Sequence, residues 1–347
     1  MISLRHSVKY LITGGAGFIG SHLADLLLGR GDEVVVLDDL STGSESNLAH
    51  HFGSAAFDFR EGSILEPQLV GELVAGVDVV VHLAAAVGVQ LILQRPLDAL
   101  FTNIRGTEIV LEACARSGRK VLIASTSEIY GKSADFPLRE DSDRILGSPF
   151  KARWSYSTAK AVDEILAHTY WREAGLPAIV VRLFNCVGPR QTGAYGMVVP
   201  RLVRQALRGE ELTVFGDGEQ RRCFCHVLDT VNCLVRLLDR PEAVGDVFNV
   251  GSQEETTISE LAVLVSRLAG SSSEIVRIPY DEAYEKGFED MSRRVPDISK
   301  VHRLTGWRPQ RTLVEIVTSV IEYTRSDAAC DSLSRSRTPS PQGGGIN

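Results

Sequence analysis

The stretch that most limits what this chain can become is Lys9 to Asp39. An apolar run, Lys9-Tyr10-Leu11-Ile12, leads into Thr13-Gly14-Gly15-Ala16-Gly17-Phe18-Ile19-Gly20, and a helical pattern follows through Leu28 with apolar residues at three- and four-residue spacing. After Gly29-Arg30-Gly31-Asp32 a second apolar run, Glu33 to Leu37, ends in Asp38 and Asp39. Strand, glycine-rich turn, helix and strand make one parallel unit. Gly14 allows the tight turn, Gly17 lets the backbone approach a pyrophosphate, and Gly20 lets the helix pack closely on the strand; the anion then rests at the positive helix N-terminus. Asp38 stands where a carboxylate accepts hydrogen bonds from the adenosine ribose hydroxyls and repels the extra phosphate of NADP. NAD is therefore the expected cofactor.

The same rhythm continues. Leu40 to His51 is polar and small, a loop able to fold over the adenosine. Ala55 to Arg60 reads as a third strand, Glu66 to Ala75 as its helix, and Val77 to Ala85 as a fourth strand, nearly all apolar as a strand covered on both faces should be. A long helix is expected from Pro96 to about Ser117, a strand over Lys120 to Ser125, a second long helix over Ser155 to Ala174, and a sixth strand over Ala178 to Leu183. This alternation predicts an α/β fold, a doubly wound parallel sheet of the Rossmann type, with ligands gathered beyond the carboxyl ends of the strands. Beyond Gly188 the pattern changes: helices over Tyr195 to Gly209, Asp229 to Asp239, Ile258 to Leu268 and Leu313 to Thr324 alternate with short strands at Glu211 to Gly218 and Val247 to Gly251. The expected division is 1–188 for NAD and 189–325 as a smaller α+β substrate-binding cap, with about 223–245 able to pack back on the first domain. Residues 326–347, rich in Ser, Arg, Pro and Gly, read as a flexible tail.

A chain of 347 residues is long enough for such a pair of cores. Its 37 basic and 44 acidic residues leave a net charge of −7, which argues against nucleic acid or an anionic membrane surface as a main partner. The run from Val77 to Val89 is interrupted by Asp78 and His82 and is too short to span a bilayer, and no signal-peptide pattern opens the chain. The six cysteines show no disulfide-framework spacing, and Cys223 and Cys225 lack a second pair to close a zinc site. The protein is expected to be cytoplasmic, with reduced cysteines and no metal. His82, at a buried strand end, reads as a structural histidine near the pyrophosphate turn.

The second decisive stretch is Trp154-Ser155-Tyr156-Ser157-Thr158-Ala159-Lys160. Four-residue spacing on a helix stacks Tyr156 and Lys160 on one face, where the ammonium can approach both the phenol and the nicotinamide ribose. A nearby cation stabilises phenolate, which suits the tyrosine to act as a base toward a sugar hydroxyl at ordinary pH. This helix follows a strand ending in Ala124-Ser125-Thr126-Ser127-Glu128-Ile129-Tyr130-Gly131.

With these residues in place the chain resembles the extended short-chain dehydrogenase/reductase family, in its nucleotide-sugar branch, from Thr13 to about Glu322. The motifs that carry the resemblance are the Gly14 to Gly20 turn, His82-Leu83-Ala84-Ala85, Asn103, Thr126 to Gly131, Tyr156 with Lys160, Arg182-Leu183-Phe184-Asn185 with Gly188-Pro189-Arg190, Val214 to Gly218, Arg222, and Arg294-Val295-Pro296-Asp297 with Gly306-Trp307. The resemblance implies cofactor contacts from Gly14, Gly17, Phe18, Ile19, Gly20, Asp38, Ser41, Thr42, Ile64, Leu83, Ala84, Ala85, Asn103, Tyr156 and Lys160. One departure is Gly62-Ser63-Ile64, where the family often has an acid after the glycine. For the substrate it implies Asn185, Arg222 and Arg294 at the diphosphate or nucleotide ribose, with Val199 in the same pocket. Val214 and Phe215 either flank the base or fill an edge-strand core.

The resemblance also implies a shared first step, in which Tyr156 takes the proton of the sugar 4-hydroxyl, hydride passes to NAD and Thr126 bonds the same oxygen. Thr126, Ser127 and Glu128 then look most like the triplet of UDP-glucuronate decarboxylases, which yield UDP-xylose. The expected substrate is therefore a UDP-sugar, and a homodimer through the two long helices is expected with it. Two other enzymatic readings stand beside this one: a UDP-glucose or UDP-glucuronate 4-epimerase, and an NDP-sugar 4,6-dehydratase, which is disfavoured because Ser127 supplies no acid before Glu128. A non-catalytic NAD-sensing module is the reading from another class, and it has no use for Tyr156, Lys160 and Thr126.

Overall fold

Buried apolar runs become parallel strands, as the sequence predicts. β1 (Lys9–Thr13), β2 (Glu33–Asp38), β3 (Phe57–Glu61), β4 (Val79–His82), β5 (Lys120–Thr126) and β6 (Ala178–Leu183) alternate with the helices α1 (Phe18–Gly29), α2 (Pro67–Ala75), α3 (Pro96–Ser117) and α4 (Ser155–Ala174). The computed structural model describes residues 7–87, 96–151, 154–193, 197–283 and 291–336. Later elements are β7 (Cys186–Val187), α5 (Val198–Arg208), β8 (Leu212–Phe215), β9 (Arg221–Cys223), β10 (Cys225–His226), α6 (Val227–Leu238), β11 (Val247–Val250), β12 (Glu255–Thr257), α7 (Ile258–Ala269), β13 (Ile275–Ile278), α8 (Tyr280–Ala283), β14 (Arg293–Arg294), α9 (Ser299–Thr305) and α10 (Leu313–Ser336).

The main sheet has seven strands in the order β11-β6-β5-β4-β1-β2-β3, every pair parallel. Chain order reverses between β1 and β4, and that switch point is where an open α/β sheet leaves its ligand crevice. One face of the sheet buries Leu23 and Leu27 of α1 against Val231 and Leu234 of α6. The other buries Val70 of α2, Val110 and Cys114 of α3 and Ala167 of α4. A separate core joins Leu202 of α5, Leu261 of α7 and Ile316 of α10, and this cap also holds the β8–β13 pair and the small sheet β12-β9-β14.

Two expectations change here. The strand at Val247 does not belong to the cap: Val247 to Val250 pairs with Val180 to Leu183 and completes the main sheet. Packing back is therefore wider than 223–245, since α6 lies on α1, and Val301 and Trp307 join the core on that face of the sheet. The reason is chemical. Phe248 and Val250 are fully buried apolar residues, and β6 offers them an open parallel edge. The last helix also runs to Ser336 rather than ending at Thr324, because neither Gly nor Pro interrupts the chain between Leu313 and Thr338. The rest of the expected tail, 337–347, lies outside the described residues.

Candidate active site

The glycine-rich turn is built for close approach. Gly14 has φ +71°, and a Cβ there would lie 2.7 Å from the Ala84 nitrogen; at Gly20 it would lie 2.3 Å from the Gly14 oxygen. α1 starts at Phe18 with no side-chain cap, so its first N–H groups are left for an anion. Asp38 Oδ2 accepts from the Ala16 nitrogen and Oδ1 from the Leu40 nitrogen, both at 2.9 Å. Burial pushes this carboxyl up, and the N–H groups of Leu40, Ala16 and Gly17 pull the other way. Each oxygen keeps a lone pair for a ribose hydroxyl. Asp38 thus also braces the turn, a role its position at a strand end does not announce.

A cavity of about 790 Å³ runs from this turn along the strand ends. Gly14, Gly17, Phe18, Ile19 and Gly20 line it with Asp38 and Thr42, and Leu83, Ala84 and Ala85 form the floor beyond β4. Thr126, Ser127, Glu128, Tyr156, Lys160, Asn185 and Arg294 line its other end. Ser41 and Ile64 line an adjoining cavity of about 430 Å³, which shares Gly14, Asp38 and Thr42. Asn103 lines neither; its amide clasps Ala86, with Oδ1 accepting from the backbone nitrogen at 2.7 Å and Nδ2 donating to the oxygen at 3.2 Å. These groups fit a dinucleotide: a tight backbone cradle, a free helix N-terminus and an acid at the ribose position.

The catalytic candidates are held from behind. Arg182 of β6 grips Glu164 of α4 through Nε and Nη2 at 3.0 and 2.8 Å and donates to the Tyr130 hydroxyl at 2.9 Å; Tyr130 in turn donates to Asn249 of β11 at 2.7 Å. The clamp fixes α4 against β6. Ser157 donates to the Glu128 carbonyl at 2.8 Å, tying the Tyr156 turn of the helix to the 126–130 turn, where Thr126 Oγ1 accepts from the Glu128 nitrogen at 3.2 Å. Arg294 donates to Ser127 Oγ at 3.2 Å and stands 3.6 Å from Glu128 Oε1, so a guanidinium and a carboxylate face the reacting end together.

Lys160 behaves differently from expectation. Its ammonium pairs with Asp163 Oδ2 at 3.1 Å, both groups buried, and Asp163 also faces the Thr107 hydroxyl. Burial pushes the Tyr156 phenol up, and the carboxylates of Glu128 and Asp163 add to the rise. The phenol is not held ionised before ligands arrive. His82, as expected, is structural: its ring bridges Thr13 Oγ1 at 2.7 Å and Thr107 Oγ1 at 3.1 Å, and burial lowers its pKa to about 3. Asp163 was invisible in the sequence, because an acid three residues after a helical lysine reads as ordinary surface pairing. Replacing it with Asn removes a negative charge beside Tyr156 and frees Lys160. Both changes lower the phenol pKa, so the acidic limb of the pH–kcat profile should move to lower pH in Asp163→Asn. An unmoved limb would show that Asp163 acts only on folding.

Four expected substrate residues do not line the cleft. Val199 and Val214 are buried in the cap core, Phe215 lies 4.1 Å beneath the Arg201 guanidinium, and Arg222 is buried with Nη1 donating to the Arg221 carbonyl at 2.9 Å. Sequence reasoning missed the wall opposite, formed by Met197 and, from α5, Pro200 and Arg204 with Val320, Tyr323 and Asp327 of α10. Its residues belong to helices whose outer pattern looks merely amphipathic.

A doubly wound sheet with a dinucleotide turn at its switch point, and a Tyr–Lys helix beside an acid-bearing strand end, defines an NAD-dependent enzyme of the short-chain dehydrogenase/reductase type. The chain belongs to the NAD dependent epimerase/dehydratase family, whose model matches residues 10–251. It is 40% identical over 318 residues to the UDP-N-acetyl-alpha-D-glucosaminuronate decarboxylase of Bacillus cytotoxicus, covering 91% of this chain and 98% of that one. It is 37% identical over 328 residues to UDP-glucuronic acid decarboxylase 1 of Xenopus tropicalis, covering 94% and 74%. Among solved structures, the UDP-glucuronic acid 4-epimerase of Bacillus cereus with UDP-glucuronic acid and NAD superposes with a TM-score of 0.83 at 29% identity, over 92% of this chain and 99% of that one.

Proposed function

We propose that this protein is an NAD-dependent UDP-glucuronate decarboxylase that forms UDP-xylose. One observation carries the reading: the Glu128 carboxylate lines the same cavity as Tyr156 and stands beside Arg294. NAD, held by the glycine turn and Asp38, would supply the acceptor and later the donor of the hydride exchanged at the sugar C4. Tyr156 accepts the proton of the 4-hydroxyl, and Thr126 bonds the same oxygen. The resulting 4-keto hexuronate has its C6 carboxylate β to the ketone, so the C5–C6 bond breaks, carbon dioxide leaves and the electron pair moves toward O4. No acid is needed at C6. Arg294 holds the carboxylate, offsetting the charge of Glu128, and Ser127 and Glu128 guide a proton from solvent water to C5. Tyr156 then gives its proton back to O4.

A second reading concerns the C2 substituent, because the Bacillus relative is named for an N-acetylated hexuronate. Incubation with UDP-glucuronate and with UDP-N-acetylglucosaminuronate, followed by mass spectrometry, separates them. Loss of carbon dioxide from the first supports the proposal, loss from the second alone moves the substrate to the acetamido sugar, and an isomer of unchanged mass supports a 4-epimerase.

The assembly we read as a homodimer through α3 and α4, supported by Leu97 and Ile165, which are 67% and 60% exposed on these two mutually packed helices. Light scattering should give a dimer for the parent and a monomer for Leu97→Asp combined with Ile165→Asp. The setting we read as cytoplasmic, which fits the five described cysteines, all free thiols, and the use of NAD. No described helix is long and apolar enough to cross a membrane.

A further inference from the structure

Among the described residues, four cationic side chains line the main cleft: Lys160, Arg190, Arg204 and Arg294. Three are matched by carboxylates, Lys160 by Asp163 at 3.1 Å, Arg190 by Asp25 at 2.9 Å and Arg294 by Glu128 at 3.6 Å. Arg204 has no ion pair or hydrogen bond among the described residues, although it is partly buried. Its guanidinium lies so close over Gly193 that a Cβ there would come within 1.8 Å of Nη2. Any side chain at Gly193 would displace it. A guanidinium drawn partly out of water loses hydration, and an anion reaching it would offset that loss.

The position narrows the anion. The cofactor fills the end of the cleft at the glycine turn and Asp38, and the reacting sugar carbon must sit at Tyr156 and Thr126. What is left for the remainder of a nucleotide sugar is the wall formed by Gly193, α5 and α10. We propose that Arg204 is an anion-binding residue that takes diphosphate oxygens of the bound nucleotide, its planar fork matching two oxygens at once. This rests on the nucleotide-sugar reading above. NAD and a UDP-sugar both carry a diphosphate, and the test separates them.

Calorimetric titration of the full chain with UDP, and separately with NAD, should be compared for the parent, Arg204→Gln, Arg204→Lys and Gly193→Ala. The expected result is a Kd for UDP raised about tenfold or more in Arg204→Gln, in line with the loss of a charged hydrogen bond, partly restored in Arg204→Lys and raised again in Gly193→Ala, with NAD binding unchanged. If the NAD Kd rises in the same variants while that for UDP holds, the guanidinium serves the cofactor diphosphate and the proposal stands with that source. Unchanged binding of both ligands by Arg204→Gln and Gly193→Ala overturns it. UDP binding requires no turnover, so failure of the decarboxylase reading would show in the product assay and leave this titration decisive.

Discussion

Tyr156→Phe should lower kcat about a thousandfold, within the range that a positioned acid–base group contributes and equivalent to about 4 kcal/mol of barrier. Among the described residues, the phenol is the only acid–base hydroxyl the cleft presents with a helical lysine one turn away, and the strand-end clamp of Arg182 and Glu164 fixes its helix. Phenylalanine keeps the ring and its packing, so binding of UDP and NAD should change little and the loss should fall on kcat rather than KM. The pH dependence follows from the electrostatics. Burial and the carboxylates of Glu128 and Asp163 hold the phenol above its ordinary value, so the parent rate should climb with pH on the alkaline side of neutrality. In the Phe variant that rise should vanish. A variant with parental kcat and the same rise would remove Tyr156 from the chemistry.

Glu128→Ala should divide the enzymatic alternatives. A decarboxylase needs the carboxylate beside Arg294 to set the C6 group and the C5 proton, and its loss should cut carbon dioxide release about a hundredfold. Oxidation at C4 depends on Tyr156 and Thr126 and should continue, so reduced nicotinamide absorbance should build up when the variant meets UDP-glucuronate. A 4-epimerase only turns the ketosugar and has no use for the acid, so it should keep forming its isomer. The same variant also removes one of the charges that raise Tyr156, which should move the oxidation step to lower pH.

Much of this was legible because it is local. The Lys9 to Asp39 unit, the apolar strands and the long helices each bury a face that their own periodicity records, and the turn glycines and Tyr156–Lys160 sit at spacings set by backbone geometry. What the sequence conceals is decided by distant partners. Val247 to Val250 reads as a strand, yet only the open edge of β6 tells which sheet it joins. β7, β9, β10, β12 and β14 are two or three residues long and exist because another strand lies beside them, so no pattern marks them. Arg222 looks like a ligand arginine in a motif and is buried, with Nη1 on the Arg221 carbonyl, while Arg204 looks like helix surface and lines the cleft. The role of Lys160 also depends on context: its partner Asp163 is three residues away, and burial of both makes the pair matter.

The central claim is that this cleft breaks the bond between C5 and C6 of a nucleotide-linked hexuronate. The direct measurement is to incubate the NAD-loaded protein with UDP-glucuronate labelled with heavy carbon at C6 and to follow the label. The account predicts that it appears as carbon dioxide while an unlabelled UDP-pentose accumulates in equal amount. Label retained in the sugar, with turnover proven by exchange or inversion at C4, would contradict it.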